Sequence, residues 1–489
     1  MRIFKLQFLT LLFIGVLASC SKDNNDSPPQ GTTPPDTSGV SARDLTVERF
    51  VYRGLNEIYL YKADVPVLAN NYFATNDDRD NFLDNYATPE DLFYDGLLAS
   101  QDRFSFIVDD YIELENLFSG ISTTTGMSYG LVRFSSDSND IFGYVRYVQP
   151  NTSASEAGVK RGNIFTQIDD QQLTVSNYQD LLNQTSYTLG FATITDNTIS
   201  ENGETATLMQ REYNANPIFI AKTLDVNGQK VGYLMYNSFV ADYDPELNAA
   251  FAKFKADGVT DLVLDLRYDG GGSVRTATDL SAMITGQFPG EIFTKEQWNK
   301  DYQEYFESTD PERLLNKFNT KITNGEMINS LNLSRLFVLT TDRTASASEL
   351  VINGLKPYIN VVQIGETTTG KFQASVTLYD SPDFGRLKAN SKHTYAIQPL
   401  VLKSANKNGV SDYVNGLDPD IQISEDITNL GVLGDPNEPF LKAALDAIKG
   451  NKKSISRDFK LFDPVAESNM NEMNYQRMYI DELPGTISQ

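Results

Sequence analysis

The sequence predicts an α/β chain: a core with a mostly parallel sheet flanked by helices, a small helical segment before it, and a β-rich module between the two. Three observations predict this. Between residues 230 and 445, short Val- and Leu-rich runs alternate with helical patterns, as in a parallel sheet buried on both faces. Ahead of that, Val47, Phe50, Val51, Leu55, Ile58 and Tyr59 recur at helical spacing. From about residue 121 the period shortens to that of strands. With 489 residues the chain has room for two or three domains.

The first element is a leader. "MRIFKLQFLTLLFIGVLASC" carries Arg2 and Lys5, an apolar stretch from Leu6 to Leu17, then small residues. That is the pattern of a secretory signal over 1–19, short for a membrane span. Its end, Leu17-Ala18-Ser19-Cys20, resembles the lipobox of bacterial lipoproteins, which implies a lipid on Cys20, anchorage to a bilayer, and a place in the bacterial cell envelope on its periplasmic or surface face. The chain has one Cys and one His (His393), which excludes an intramolecular disulfide and any zinc site needing several Cys or His. A net charge of -24 argues against a nucleic-acid partner.

Residues 20–43 are Pro-, Ser- and Asp/Asn-rich without apolar periodicity, a disordered linker by composition. Residues 44–120 form the N-terminal helical segment. In it "TPEDLFYDGLL" offers Thr88 as an N-cap and Pro89 in the first turn. In 121–213, "SYGLVRF" and "FGYVRYVQP" read as strands around the turn "SSDSND". They are followed by "SASEAGVKRGNIFTQIDDQQL", the helical "NYQDLLNQ" and a β-rich bridge, "ETATLMQREYN". This order resembles a PDZ domain of the bacterial kind, with "AGVKRGNIFTQID" as the best-matching stretch. Residues 214–450 hold the α/β core. Residues 451–489 read as a polar, loosely attached tail.

Three serines have formal nucleophile patterns. Ser128 lies in G-M-S-Y-G, but "LVRF" follows it, where a nucleophile elbow needs a helix. Ser404 lies in S-A-N-K, whose Asn- and Gly-rich surroundings read as a hairpin turn rather than the helical turn that would bring Lys beside Ser. Ser346 follows the strand "RLFVLTT" and opens the helix "SASELVINGL". Ser346-x-x-Glu349 is a capping box, and Ser153-x-x-Glu156 repeats the same tetrapeptide at another helix start, where Ser153 is read as a cap only. The surroundings of Ser346 differ. "DLRYDGGG" puts three glycines at one strand's C-terminal end, where backbone N–H groups can face a ligand. "GETTTGKFQ" puts Lys371 at the end of another.

Taken together, "DLRYDGGG", "TASASELV" and "GETTTGKFQ" resemble the carboxyl-terminal processing (tail-specific) proteases, a serine–lysine family with an inserted PDZ domain. The resemblance runs from about 44 to 447. It implies Ser346 as nucleophile, Lys371 as general base, and Gly271 and Ala347 as oxyanion donors. It also implies polypeptide substrates, taken through free C-termini, and no cofactor or metal. Gln373 is the candidate for positioning the lysine, although the family pattern is Lys-Gly-x-x-Gln and this chain has Lys371-Phe372-Gln373. Pro357 stands where many members have Asp. The rival implication is a catalytically weak or inactive peptide-binding lipoprotein on the same scaffold.

Overall fold

In the computed structural model, which describes residues 43–195, 198–451 and 462–487, the Val- and Leu-rich runs assemble into one central sheet. The leader, Cys20, the linker up to residue 42 and tail residues 452–461 lie outside the described residues. The strand order is Ile218–Val226, Gln229–Tyr236, Asp261–Asp265, Arg335–Thr340, Asn360–Gly365, Ile421–Gln422. The first pair is an antiparallel hairpin closed by Asn227-Gly228, both at positive φ, as a two-residue turn requires. The remaining pairs are parallel.

Alternate residues on these strands supply two separate cores. Leu234, Leu262, Leu264, Leu336 and Val338 face the helices Asp244–Ala256, Val274–Thr285 and Ala347–Leu355. Val263, Phe337, Leu339 and Ile364 face the helix Pro439–Ile448. Each such side chain, fully removed from water, contributes about 1.5–3 kcal/mol. The sheet is therefore buried on both sides, and its loops at the strand C-terminal ends are the part left for function. Arg267 fastens one of those ends. It is wholly buried, donates to Asp265 at 2.9 and 2.7 Å, and reaches Glu438, the N-cap of the Pro439–Ile448 helix, at 2.7 Å.

The expectation of a mostly parallel arrangement holds for this sheet and not for the chain. A second sheet, ordered Gly272–Ser273, Met478–Tyr479, Gln373–Ser375, Leu400–Asn406, Ile292–Trp298, Leu315–Lys317, is antiparallel except where Met478–Tyr479 pairs. The 121–213 module is antiparallel throughout. Within the module, short connections force this for Met127–Arg133 with Ile141–Val148 and for Ser186–Thr195 with Thr198–Met209, because a parallel pair needs a crossover of a dozen residues or more.

The helix Thr46–Ile58 packs Phe50, Val51, Leu55 and Ile58 into the first core, and Thr88 caps Pro89–Asp91 through a capping box with Asp91, as its sequence predicts. The 121–213 module has its own core around Leu131, Ile141, Val145, Phe165, Ile168 and Leu189.

The tail departs from expectation. Its described part is integrated: Pro464–Glu467 pairs with the Gly130–Val132 edge, and Met478, fully buried, enters the second sheet. The stretch is polar in composition, but two open strand edges take its backbone N–H and C=O groups, which need partners whatever the side chains are.

Candidate active site

The loop after Arg335–Thr340 delivers Ser346 in a backbone conformation rare for a residue with a side chain, φ +61° and ψ -116°. Such strain persists only where surroundings over-determine it. Here the Ser346 N–H donates to Glu349 Oε2 at 2.8 Å, the Ala345 N–H donates to the Asp269 carbonyl at 3.1 Å, and the Ser348 hydroxyl donates to the same carbonyl at 3.2 Å. The glycine turn presses against this bend. A Cβ on Gly271 (φ +107°) would sit 2.6 Å from Ser346 Cβ and 3.0 Å from the Ala347 nitrogen. No side chain fits, so the Gly271 and Ala347 backbones meet beside Ser346. Ala347 opens the helix, so its N–H has no partner within it.

The Gly271 N–H is engaged: it donates to Asp269 Oδ1 at 2.7 Å. Asp269 is wholly buried, its second oxygen has no hydrogen-bond partner, and burial pushes its carboxyl well above the usual range. This D-x-G pairing is an Asx turn, and the sequence "YDGGG" carries its signal.

Lys371 is fully buried, and its Nζ makes no hydrogen bond among the described residues. It lies 4.9 Å from the centroid of the Phe104 ring. Burial first, and the Arg477 guanidinium second, push its pKa well below that of an ordinary lysine, against smaller upward pulls from Asp102 and Glu349. The shift favours the neutral amine.

Glu349 ties the Ser346 and Lys371 backbones together. The oxygen that accepts the Ser346 N–H also accepts the Lys371 N–H, at 2.9 Å. Its other oxygen accepts the Gly370 N–H at 2.7 Å and the Thr368 hydroxyl at 2.5 Å. The sequence exposes Glu349 as a helix cap; its hold on the lysine loop is visible only in three dimensions. The Ser346 hydroxyl does not reach Lys371 here. It donates to the Gln476 carbonyl at 3.1 Å. A cavity of about 180 Å³ opens beside this contact, lined by Ser128, Tyr147, Asn237, Gly270, Gly271 and Gln476 among others.

Gln373 is not placed on the lysine. Its Nε2 donates to Tyr61 Oη at 3.0 Å and its Oε1 has no partner among the described residues. Ser128 sits within the strand Met127–Arg133 with no helix after it, Ser404 within the strand Leu400–Asn406, and His393 Nε2 on Asp380 at 3.1 Å. Ser153 is not a cap. Thr152 caps that helix through a box with Ser155, while Ser153 Oγ donates to the Met209 carbonyl at 2.7 Å and accepts its N–H at 3.0 Å.

Residues 230–423 match the model of peptidase family S41, and residues 46–106 match that of the peptidase S41 N-terminal domain. The chain is 22% identical over 292 residues to a chloroplastic C-terminal processing peptidase of Tetradesmus obliquus, covering 57% of this chain and 56% of that one. It is 25% identical over 233 residues to a carboxyl-terminal-processing protease of Picosynechococcus sp., covering 48% of each. The chain thus spans about half the length of the curated relatives it matches. A solved structure from Bacteroides fragilis assigned to the S41 proteases superimposes with a TM-score of 0.66 at 26% identity, covering 82% of this chain and 97% of that one.

Proposed function

We propose, from the premise that residues 230–423 belong to peptidase family S41, that this chain is a serine endopeptidase of the carboxyl-terminal processing type, with Ser346 as nucleophile and Lys371 as general base. The observation that carries the reading is the shared Glu349 oxygen, which anchors the backbones of both residues while leaving the lysine amine buried and without a partner.

In the reaction, Ser346 Oγ attacks the peptide carbonyl carbon and its proton passes to neutral Lys371 Nζ. The negative oxygen that forms accepts the Gly271 and Ala347 N–H groups, at the positive end of the Ala347–Leu355 helix. For this the Gly271 N–H must leave Asp269. The Lys371 ammonium then protonates the departing amine. Water attacks the acyl-enzyme, gives its proton to Lys371, and Ser346 is restored. The 121–213 module, read as a PDZ domain, captures an extended protein tail by strand addition and passes it to Ser346. The chain works at the cell envelope, held by a lipid on Cys20; Cys20→Ala should shift it from the membrane to the soluble fraction, and unchanged fractionation would exclude the anchor.

A serine-directed fluorophosphonate probe tests the chemistry. The parent protein should be labelled at Ser346 and should cleave an unfolded protein, while Ser346→Ala should be unlabelled and lose at least about a thousandfold in turnover. Cleavage that persists in Ser346→Ala would sink the assignment. A folded parent that neither labels nor cleaves would favour the peptide-binding alternative, for which the placement of Gln373 on Tyr61 is the supporting observation.

A further inference from the structure

The described end of the chain runs along the site rather than away from it. Pro464–Glu467 adds an antiparallel strand to the exposed edge of the module. Ser468 continues the pairing, donating its N–H to the Tyr129 carbonyl at 3.0 Å and accepting the Tyr129 N–H on its hydroxyl at 3.1 Å. Glu467 ion-pairs with Arg146 of the module and with Arg343 of the loop before Ser346, the latter at 2.5 Å. Further on, Gln476 bends at φ +50° and its carbonyl accepts the hydrogen bond that the Ser346 hydroxyl donates. Met478–Tyr479 then lies parallel to both Gly272–Ser273, beside the oxyanion turn, and Ser375, just beyond Lys371.

The strand edge of the module and the Ser346 hydroxyl are thus both taken by one continuous stretch of this chain. The strand edge is filled in the manner by which extended peptides are bound. The nucleophile's proton points at Gln476 instead of Lys371. The Gln476 carbonyl oxygen meets the hydroxyl and neither the Gly271 nor the Ala347 N–H, so its peptide bond is held without being activated.

We propose that residues 464–479 are an internal ligand that keeps the enzyme latent by occupying the route of a substrate from the module edge to Ser346. The inference rests on the protease reading above. Because the segment is tethered, its effective concentration is high, and a substrate's apparent affinity falls by the fraction of molecules in which the tail has left.

Full-length variants test this through the rate of Ser346 labelling by a fluorophosphonate and of casein hydrolysis. Gln476→Pro cannot adopt the positive φ and breaks no backbone hydrogen bond donated by Gln476. Glu467→Gln removes the charge that meets Arg146 and Arg343. Both should raise each rate by about tenfold. Gln476→Gly accepts the bend freely and should be no faster than the parent. A synthetic peptide of the parental 462–480 sequence, added to Gln476→Pro, should slow it again, which a generally loosened protein would not do. Thermal melts confirm that each variant is folded. An active parent with Gln476→Pro and Glu467→Gln unchanged, or no response to the peptide, overturns the latency alone. Folded proteins that never label or cleave overturn the protease reading and the latency with it.

Discussion

Lys371 concentrates the chemistry and the instability of the site in one group. A buried amine with no partner destabilises the fold, by about 1–3 kcal/mol for an unsatisfied polar group. Lys371→Met, similar in length and apolar, should therefore abolish turnover and raise the melting temperature. A variant that loses activity and melts lower would mean the amine is satisfied in solution. The same burial sets two pH dependences. With Lys371 as the proposed general base, only its neutral form would accept the serine proton, so kcat/KM should rise with pH through a value well below the ordinary lysine range. Between that value and the ordinary one, the unfolded chain binds one more proton than the native one. Stability should therefore climb with pH across this window, and Lys371→Met should remove the slope.

At this scale the sequence points to residues whose signals are local. Ser346 stands out because a strand runs into a helix there, Gly271 because three glycines follow a strand, and Lys371 because it ends the next one. Gln373 misled because its amide is claimed by Tyr61, 312 residues away. Gln476 could not be found at all, since it reaches Ser346 across 130 residues from a segment with no periodicity of its own.

Among the elements, the tail shows how composition misleads. Apolar spacing locates strands that build a core, but Pro464–Glu467 and Met478–Tyr479 are recruited by edges that others leave open, and nothing in their own pattern reports those edges. The same limit separates the two sheets: long crossovers made the parallel one legible, whereas the pairings of the second depend on strands far apart in sequence. Glu472, between the two tail strands, lines the cavity beside Ser346, and burial raises its carboxyl from 4.5 to about 7. A carboxyl raised on folding binds a proton more tightly in the native state. Its contribution to docking the tail is complete below about 4.5 and is lost as pH rises through about 7. The melting temperature of the parent should accordingly fall relative to Glu472→Gln across that interval. Parallel curves would show that Glu472 is charged in the docked tail.

The molecule as a whole is joined by a buried cluster of ions. Arg161, from the turn "VKRG" of the module, donates to the Arg146 carbonyl at 2.6 Å, to Tyr268 Oη at 2.7 Å, to Glu425 at 3.0 Å and to the Leu430 carbonyl at 3.2 Å. Tyr268 and Arg267 belong to the strand end that leads into the glycine turn, so the module is bolted directly to the loop beside Ser346. Burial would raise the Glu425 carboxyl, but Arg161 and Arg267 overcome it and hold it at about 2. Arg161→Ala removes one cation from around that charge and should destabilise the protein by about 3 kcal/mol, the scale for breaking a buried pair. Denaturant unfolding would measure it, and a loss within experimental error would mean that module and core are joined elsewhere.

The position of Met478–Tyr479 also bears on how the chain comes into being. These residues are made about a hundred residues or more after their partners, Gly272–Ser273 and Ser375. Contacts between such distant stretches form late, because a long loop must close before they stabilise anything. Segments made earlier fold as they emerge. There is consequently an interval in the life of each molecule when Ser346, Lys371 and the glycine turn have been synthesised and the strand that covers them has not. The duration of that interval is a rate, so how long a newborn chain stands uncovered among other half-folded proteins is decided by the speed of its last step.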